Sequence, residues 1–144
     1  MIIRKATSAD TIHIIRSLQN KKIHYNTPAH AKEDVNNDCL YILEHENKII
    51  AQCALIYDAE RKYYAMKRLC VYNKKNLGKG IAQMFISYFE HLGVPALGVT
   101  PWEENKAMIH ILEKNGFIYQ YTFLENYLFY YKKVLTNQAS SVII

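Results

Sequence analysis

Residues 70–92 read CVYNKKNLGKGIAQMFISYFEHL. An apolar strand runs into a basic turn, two glycines follow one residue apart, and an amphipathic helix begins. Ile81, Met84, Phe85, Tyr88, Phe89 and Leu92 recur at helical spacing and define an apolar stripe. Gly93 is placed to end that helix. Gly78 and Gly80 stand where the turn becomes the helix. The first N–H groups of a helix have no intrahelical partner and attract anions. Glycine lets a bulky anion come close to such a backbone. Lys74, Lys75 and Lys79 add positive charge beside it. The stretch therefore reads as a phosphate cradle; a plain turn leading into a helix is the bland alternative.

Working outward, residues 1–6 read as a short strand. Thr7 and Asp10 have capping-box spacing ahead of a helix carrying Ile12, Ile15 and Leu18. Residues 20–38 are polar and are expected to hold a second short helix in a loop-rich connection. Residues 39–45 and 48–57 form a hairpin about Glu46 and Asn47, its second strand apolar almost throughout, as for a strand covered on both faces. Residues 63–72 form another strand. After the cradle helix come a strand at 96–100, a helix from Asn105 to Asn115 stopped by Gly116, and aromatic-rich strands at 117–123 and 127–134. The order β-α-α-β-β-β-α-β-α-β-β predicts an α/β (α+β) domain with a mixed, mostly antiparallel sheet flanked by helices. Residues 135–144 carry no periodic signal and read as a loose tail.

The 144 residues favour one domain. Half are hydrophobic and 22% charged, an ordinary globular composition. No apolar run nears the roughly 20 residues of a membrane helix. The N-terminus lacks the apolar segment of a signal peptide, so a cytoplasmic protein is expected. Cys39, Cys53 and Cys70 are widely spaced and read as reduced residues buried in strands. The six histidines show no HxH or HExxH pairing, which argues against a metal site. The net charge of +5 admits nucleic acid as a partner. The lysines are scattered, however, with much of the excess at residues 61–79, and a local anionic ligand accounts for it equally well.

A P-loop needs GxxxxGK followed by Ser or Thr; Gly78-Lys79-Gly80-Ile81 has neither the spacing nor the hydroxyl. A dinucleotide turn needs a third glycine where Gln83 stands, and repeated βαβ units where hairpins are expected. The arrangement instead resembles the GNAT superfamily of N-acetyltransferases. Leu69 to Phe85, LCVYNKKNLGKGIAQMF, is similar to the family's Q/R-x-x-G-x-G/A pyrophosphate loop, with Lys75, Gly78 and Gly80 in the marked positions. Asn105 to Phe117, NKAMIHILEKNGF, is similar to its second cofactor helix, which ends in a YEKxGF-like signature. The opening IIRKATSAD and the order of elements agree. The resemblance implies a single GNAT-like acyl-CoA-binding domain over residues 1–134, with acetyl-CoA as the donor co-substrate. It implies that backbone N–H groups of Leu77, Gly78, Lys79, Gly80, Ile81 and Ala82 hold the pyrophosphate. It further implies that Leu69, Cys70 and Val71 pair with the pantetheine arm as an added strand, the Val71 N–H polarising the thioester carbonyl, and that Asn105 contacts pantetheine. Asn105 is equally well explained as an N-cap.

The familiar acid and base positions are both altered. Where the family commonly carries a tyrosine that protonates the leaving thiolate stands Leu112; where many members carry a glutamate base stands Lys67. His110 lies about 200° round the helix from Leu112 and reads as structural. His24 and Tyr25 fall in the loop region where the family builds its acceptor site and are the catalytic candidates, solvated loop positions otherwise. Tyr63, Tyr64 and Tyr72 read first as packing and second as cleft lining. The resemblance thus implies an N-acetyltransferase acting on a small-molecule or protein amine. From the sequence itself no membrane is expected, nucleic acid is the disfavoured partner for want of a motif, and a homodimer is left open. A non-catalytic acyl-CoA-binding or regulatory module is the alternative.

Overall fold

The computed structural model describes residues 1–19 and 28–134. The strands are β1 Ile2–Lys5, β2 Leu40–His45, β3 Lys48–Asp58, β4 Tyr63–Val71, β5 Ala96–Val99, β6 Ile118–Phe123 and β7 Tyr127–Lys133. The helices are α1 Thr11–Gln19, α2 Pro28–Asn36, α3 Ile81–His91 and α4 Lys106–Lys114. The seven strands form one sheet in the order β1-β2-β3-β4-β5-β7-β6. β4 and β5 run parallel, in register at Tyr64↔Leu97 and Ala65↔Gly98. The β1–β2, β2–β3, β5–β7 and β6–β7 pairs are antiparallel. This is the mixed, mostly antiparallel sheet expected of the sequence. The chain divides into two compact units, Met1–Leu55 with Arg68–Ile81, and Ile56–Lys67 with Ala82–Ile144.

In the first unit, β2 and β3 turn on Glu46 and Asn47, both at positive φ (51° and 62°), the geometry of a two-residue hairpin loop. Ile50 to Leu55 are buried in succession, as for a strand covered on both faces. Ahead of α1, Thr7 N–H donates to Asp10 Oδ2 at 2.8 Å. Arg4 grips the same carboxylate with two nitrogens (2.8 and 2.9 Å) and reaches Glu44 Oε1 at 2.7 Å. The buried face of α1 is Ile14 and Leu18, whereas Ile12 is 61% exposed. The expected stripe through Ile12 is thus displaced. Burial runs Asp10, Ile14, Leu18, and its first member is a carboxylate that enters the interior only because Arg4 pairs with it.

That pairing makes a pH prediction. The hydrogen bond from Arg4 holds Asp10 below its ordinary 3.8, at about 2. The folded value lies under the unfolded one, so the contribution is complete above about pH 4 and is lost as pH falls toward 2. Urea midpoints of Arg4→Ala should therefore fall less steeply than wild type over that window.

In the second unit, α3 buries Phe85, Ile86 and Phe89, with the Phe85 and Phe89 rings 6.0 Å apart. Leu92, expected in that stripe, is 45% exposed because α3 ends at His91 and Gly93 follows at φ +84°. α4 closes with Gly116 at φ +84°, Phe117 N–H on Leu112 O (3.0 Å) and Gly116 N–H on Glu113 O (3.1 Å), a Schellman ending. Polar pairs tie the layers: Gln83 with Asn115 (Nε2 to Oδ1, 2.7 Å), Lys132 with Glu90 (3.0 Å), and Tyr130 Oη donating to Glu113 (3.3 Å). Cys53 and Cys70 are buried in β3 and β4, but Cys39 precedes β2 and is only half-buried, its thiol pushed up to about 11 by burial and by Asp34. His24, Tyr25 and the tail at 135–144 lie outside the described residues.

Candidate functional site

The cradle in the first unit is built by a short 3-10 turn, Lys74–Asn76, whose start is capped by Asn73 Oδ1 accepting from Lys75 N–H (3.1 Å). Leu77 N–H donates to Lys74 O at 3.1 Å. Within the turn, the Leu77 donor is engaged with Lys74 O. Residues 77–80 are exposed. Gly78 and Gly80 stand at φ +76° and +74°, in the left-handed region. A Cβ added at either would meet nothing within 4 Å. The N–H groups of Gly78, Lys79 and Gly80 make no backbone hydrogen bond among the described residues, and those of Ile81 and Ala82 open α3 without intrahelical partners. The contrast with α4 is informative. There Asn105 caps the helix, its Oδ1 accepting from Met108 N–H at 3.2 Å. α3 is preceded by glycine and has no side chain to perform that office. Lys79 Nζ lies 3.5 Å from Oδ1 of the buried Asn76, and Lys75 is exposed beside the turn.

β4 leads into this turn through a kink. Arg68 sits at φ +54°, a conformation costly for a residue with a Cβ. Two contacts hold it. Its guanidinium grips the 3%-exposed Asp34 with Nε (2.7 Å) and Nη2 (2.6 Å), and its carbonyl accepts from Nε2 of the fully buried Gln52 (3.3 Å). Gln52 Oε1 in turn accepts from Tyr72 Oη at 2.6 Å. Burial raises the Tyr72 phenol, which keeps it protonated as the donor. Tyr72 N–H is committed to Ile50 O at 2.9 Å. Leu69, Cys70 and Val71 thus follow directly from the kink, on the stretch where a thioester arm is expected.

Neither familiar acid–base position offers a proton carrier of the expected kind. Leu112 is fully buried, as is its Schellman partner Phe117 at 3% exposure, so that position is structural. His110 is exposed on α4. Lys67 is exposed on β4 and lines a cleft of about 410 Å³ in the second unit, together with Asp58, Arg61, Tyr63, Thr100 and Tyr121. Gly98 allows this cleft its floor. A Cβ there would lie 2.3 Å from Tyr63 Cε2, so the Tyr63 ring occupies the space that any other residue's side chain would need. A glycine inside a strand is the sequence signal for such close approach. Of the three tyrosines weighed from sequence, Tyr63 lines this cleft; Tyr64 packs its ring 4.9 Å from Tyr57. Asp34, Gln52, Arg61 and Tyr121 had no local signal. Among the described residues no cluster of His, Cys, Asp or Glu could hold a metal ion, and no helix is long and apolar enough to cross a membrane.

With this architecture the chain has the fold of the GNAT-family acetyltransferases. It is similar to one from Bacillus cereus (TM-score 0.78, 18% identity, covering 93% of this chain and 97% of that one). It is similar to another from Streptococcus agalactiae (TM-score 0.77, 20% identity, 92% and 94% covered). It is also similar to the ribosomal-protein-S18-alanine N-acetyltransferase of Escherichia coli (TM-score 0.71, 15% identity, 92% and 93% covered). No protein-family profile and no curated protein matches the chain.

Proposed function

We propose that the chain transfers an acetyl group from acetyl-CoA to an amine. The observation that carries this reading is the pair Gly78 and Gly80, at positive φ with open space where a Cβ would stand, ahead of a helix that no side chain caps. The open N–H groups fit a diphosphate, and Lys75 and Lys79 add charge beside them. Acetyl-CoA supplies a thioester. The N–H groups from Gly78 to Ala82 bind its pyrophosphate, Leu69 to Val71 receive its arm as an added strand, the Val71 N–H polarises the carbonyl, and Asn105 Nδ2 donates to pantetheine. The acceptor nitrogen then bonds to the acetyl carbon as the C–S bond breaks. The sulfur leaves as thiolate, and the ammonium proton passes to water. The Escherichia coli neighbour, an alanine N-acetyltransferase by name, supports an amine as acceptor. Three free thiols suit a cytoplasmic setting.

Such a site works chiefly by proximity and carbonyl polarisation. An amine with a pKa of about 10.4 is neutral in about one molecule in 10³ near pH 7. With Leu112 and Lys67 in the acid and base positions, nothing in those positions accepts that proton. The expected result is a logarithm of kcat/KM that climbs with slope one from about pH 6 to the acceptor's own pKa. Thiol release measured across that range checks it, and a plateau near neutrality would reveal a side-chain base. The buried Leu112 favours one second reading, a non-catalytic acyl-CoA-binding module. Tight acetyl-CoA binding without thiol release on any amine would decide for it.

A further inference from the structure

The cleft of the second unit carries information about the acceptor. Its floor is aromatic: Tyr63 lies over Gly98, its ring 5.4 Å from Phe129 and backed by Tyr131 at 6.4 Å. Tyr121, 5.2 Å from Phe129, forms a wall. At about 410 Å³ it stands near the lower end of small-ligand sites, too small for a macromolecular surface and ample for one ring and its substituents.

The rim is charged in an unequal way. Arg61 Nη1 donates to Tyr121 Oη at 2.9 Å, which fixes the guanidinium on the wall. Among the described residues no carboxylate lies within ion-pairing distance of it. Asp58, the lining carboxylate, spends Oδ1 on the turn, accepting from Glu60 N–H (3.1 Å) and Arg61 N–H (2.9 Å). Lys67 adds a second cation on the lining; Glu60 lines only the adjoining cleft of about 360 Å³. A guanidinium held in place by a phenol, and paired with no carboxylate within 4 Å among the described residues, is shaped for a carboxylate. A polycation has little to gain beside it.

We propose that this cleft takes the acceptor, and that the acceptor is an amine bearing both a carboxylate and a flat apolar group, the chemistry of an aromatic amino acid. Arg61 pairs with the carboxylate, and the Tyr63 floor receives the ring. The proposal rests on the acetyl-transfer reading.

The test uses matched pairs that differ only in the carboxylate: phenylalanine with phenethylamine, tyrosine with tyramine, tryptophan with tryptamine, and spermidine as the polycation. Binding is read by amide chemical-shift titration of the full chain, and turnover by thiol release with acetyl-CoA. At least one amino acid should bind at least tenfold more tightly than its decarboxylated partner, shifting resonances of Arg61 and Tyr121. Arg61→Ala should erase that difference, Arg61→Lys should restore part of it, and spermidine should leave these resonances in place. Equal binding within every pair, no binding by any amino acid, or a preference untouched in Arg61→Ala would overturn it. Acetyl-CoA affinity, measured separately, keeps the two readings apart. If acetyl-CoA binds and the amino acids do not, the acceptor proposal alone fails; if acetyl-CoA does not bind, the donor reading fails with it.

Discussion

Gly80→Leu should weaken acetyl-CoA binding by a hundredfold or more while the protein stays folded. On the acetyl-transfer reading proposed above, the N–H groups from Gly78 to Ala82 offer a diphosphate several charge-assisted hydrogen bonds, each contributing about 1.5–3 kcal/mol. A side chain in the cradle removes at least two of them. That is about 3–6 kcal/mol, or a factor of about 10² to 10⁴ in Kd. The fold suffers less, because a Cβ at this position meets nothing within 4 Å. The remaining cost is conformational: a residue with a Cβ at φ +74° is disfavoured by about 1–2 kcal/mol. Calorimetric titration with acetyl-CoA and a thermal melt of the same sample separate the two quantities. Gly98→Ala supplies the opposite case. Its Cβ would meet Tyr63 Cε2 at 2.3 Å, so it should lower stability and disturb the cleft without touching the cradle. Unchanged acetyl-CoA affinity in Gly80→Leu would return the two glycines to the role of a plain turn.

The legible parts of this molecule are those that local rules govern. Gly78 and Gly80 announce themselves because few other residues accept positive φ next to a helix start. α3 announces itself because Phe85 and Phe89 repeat at helical spacing. What escaped depends on residues far apart in the chain. Arg68 and Asp34 are separated by 34 positions, and Arg61 and Tyr121 by 60; neither partner carries a local signal of the other. The kink at Arg68 is the clearest case, since arginine has no preference for the left-handed region and only its tertiary partners hold it there. The misplaced face of α1 has the same origin. Asp10 reads as polar and therefore outward, and its pairing with Arg4 is what turns it inward. Leu112 shows the converse: its apolar character is plain in the sequence, but its complete burial is not.

Asp34→Ala should produce the largest loss of stability in the first unit, and the reason also concerns the donor site. Asp34 and Arg68 are paired through two short hydrogen bonds, with side chains 4% and 19% exposed. Removing one member leaves the other charge in the interior without its partner, at a typical cost of about 3–5 kcal/mol. Total stabilities run at about 5–15 kcal/mol, so the variant should melt about 10 °C or more below wild type. Stability alone does not justify the pair, because replacing both members with apolar residues is often neutral or better. The double variant Asp34→Leu/Arg68→Met should therefore regain most of the lost melting temperature. It should not regain function if the pair exists to hold β4 in its kink, since methionine has neither a partner nor a reason to stay at φ +54°. Without the kink, the N–H groups of Leu69, Cys70 and Val71 lose their alignment, while the cradle from Gly78 onward keeps its own geometry. The double variant should accordingly bind acetyl-CoA within about tenfold of wild type, yet release thiol at least tenfold more slowly at saturating donor, about 1.4 kcal/mol of transition-state stabilisation. A stable double variant with wild-type kcat would assign the Asp34–Arg68 pair to stability alone.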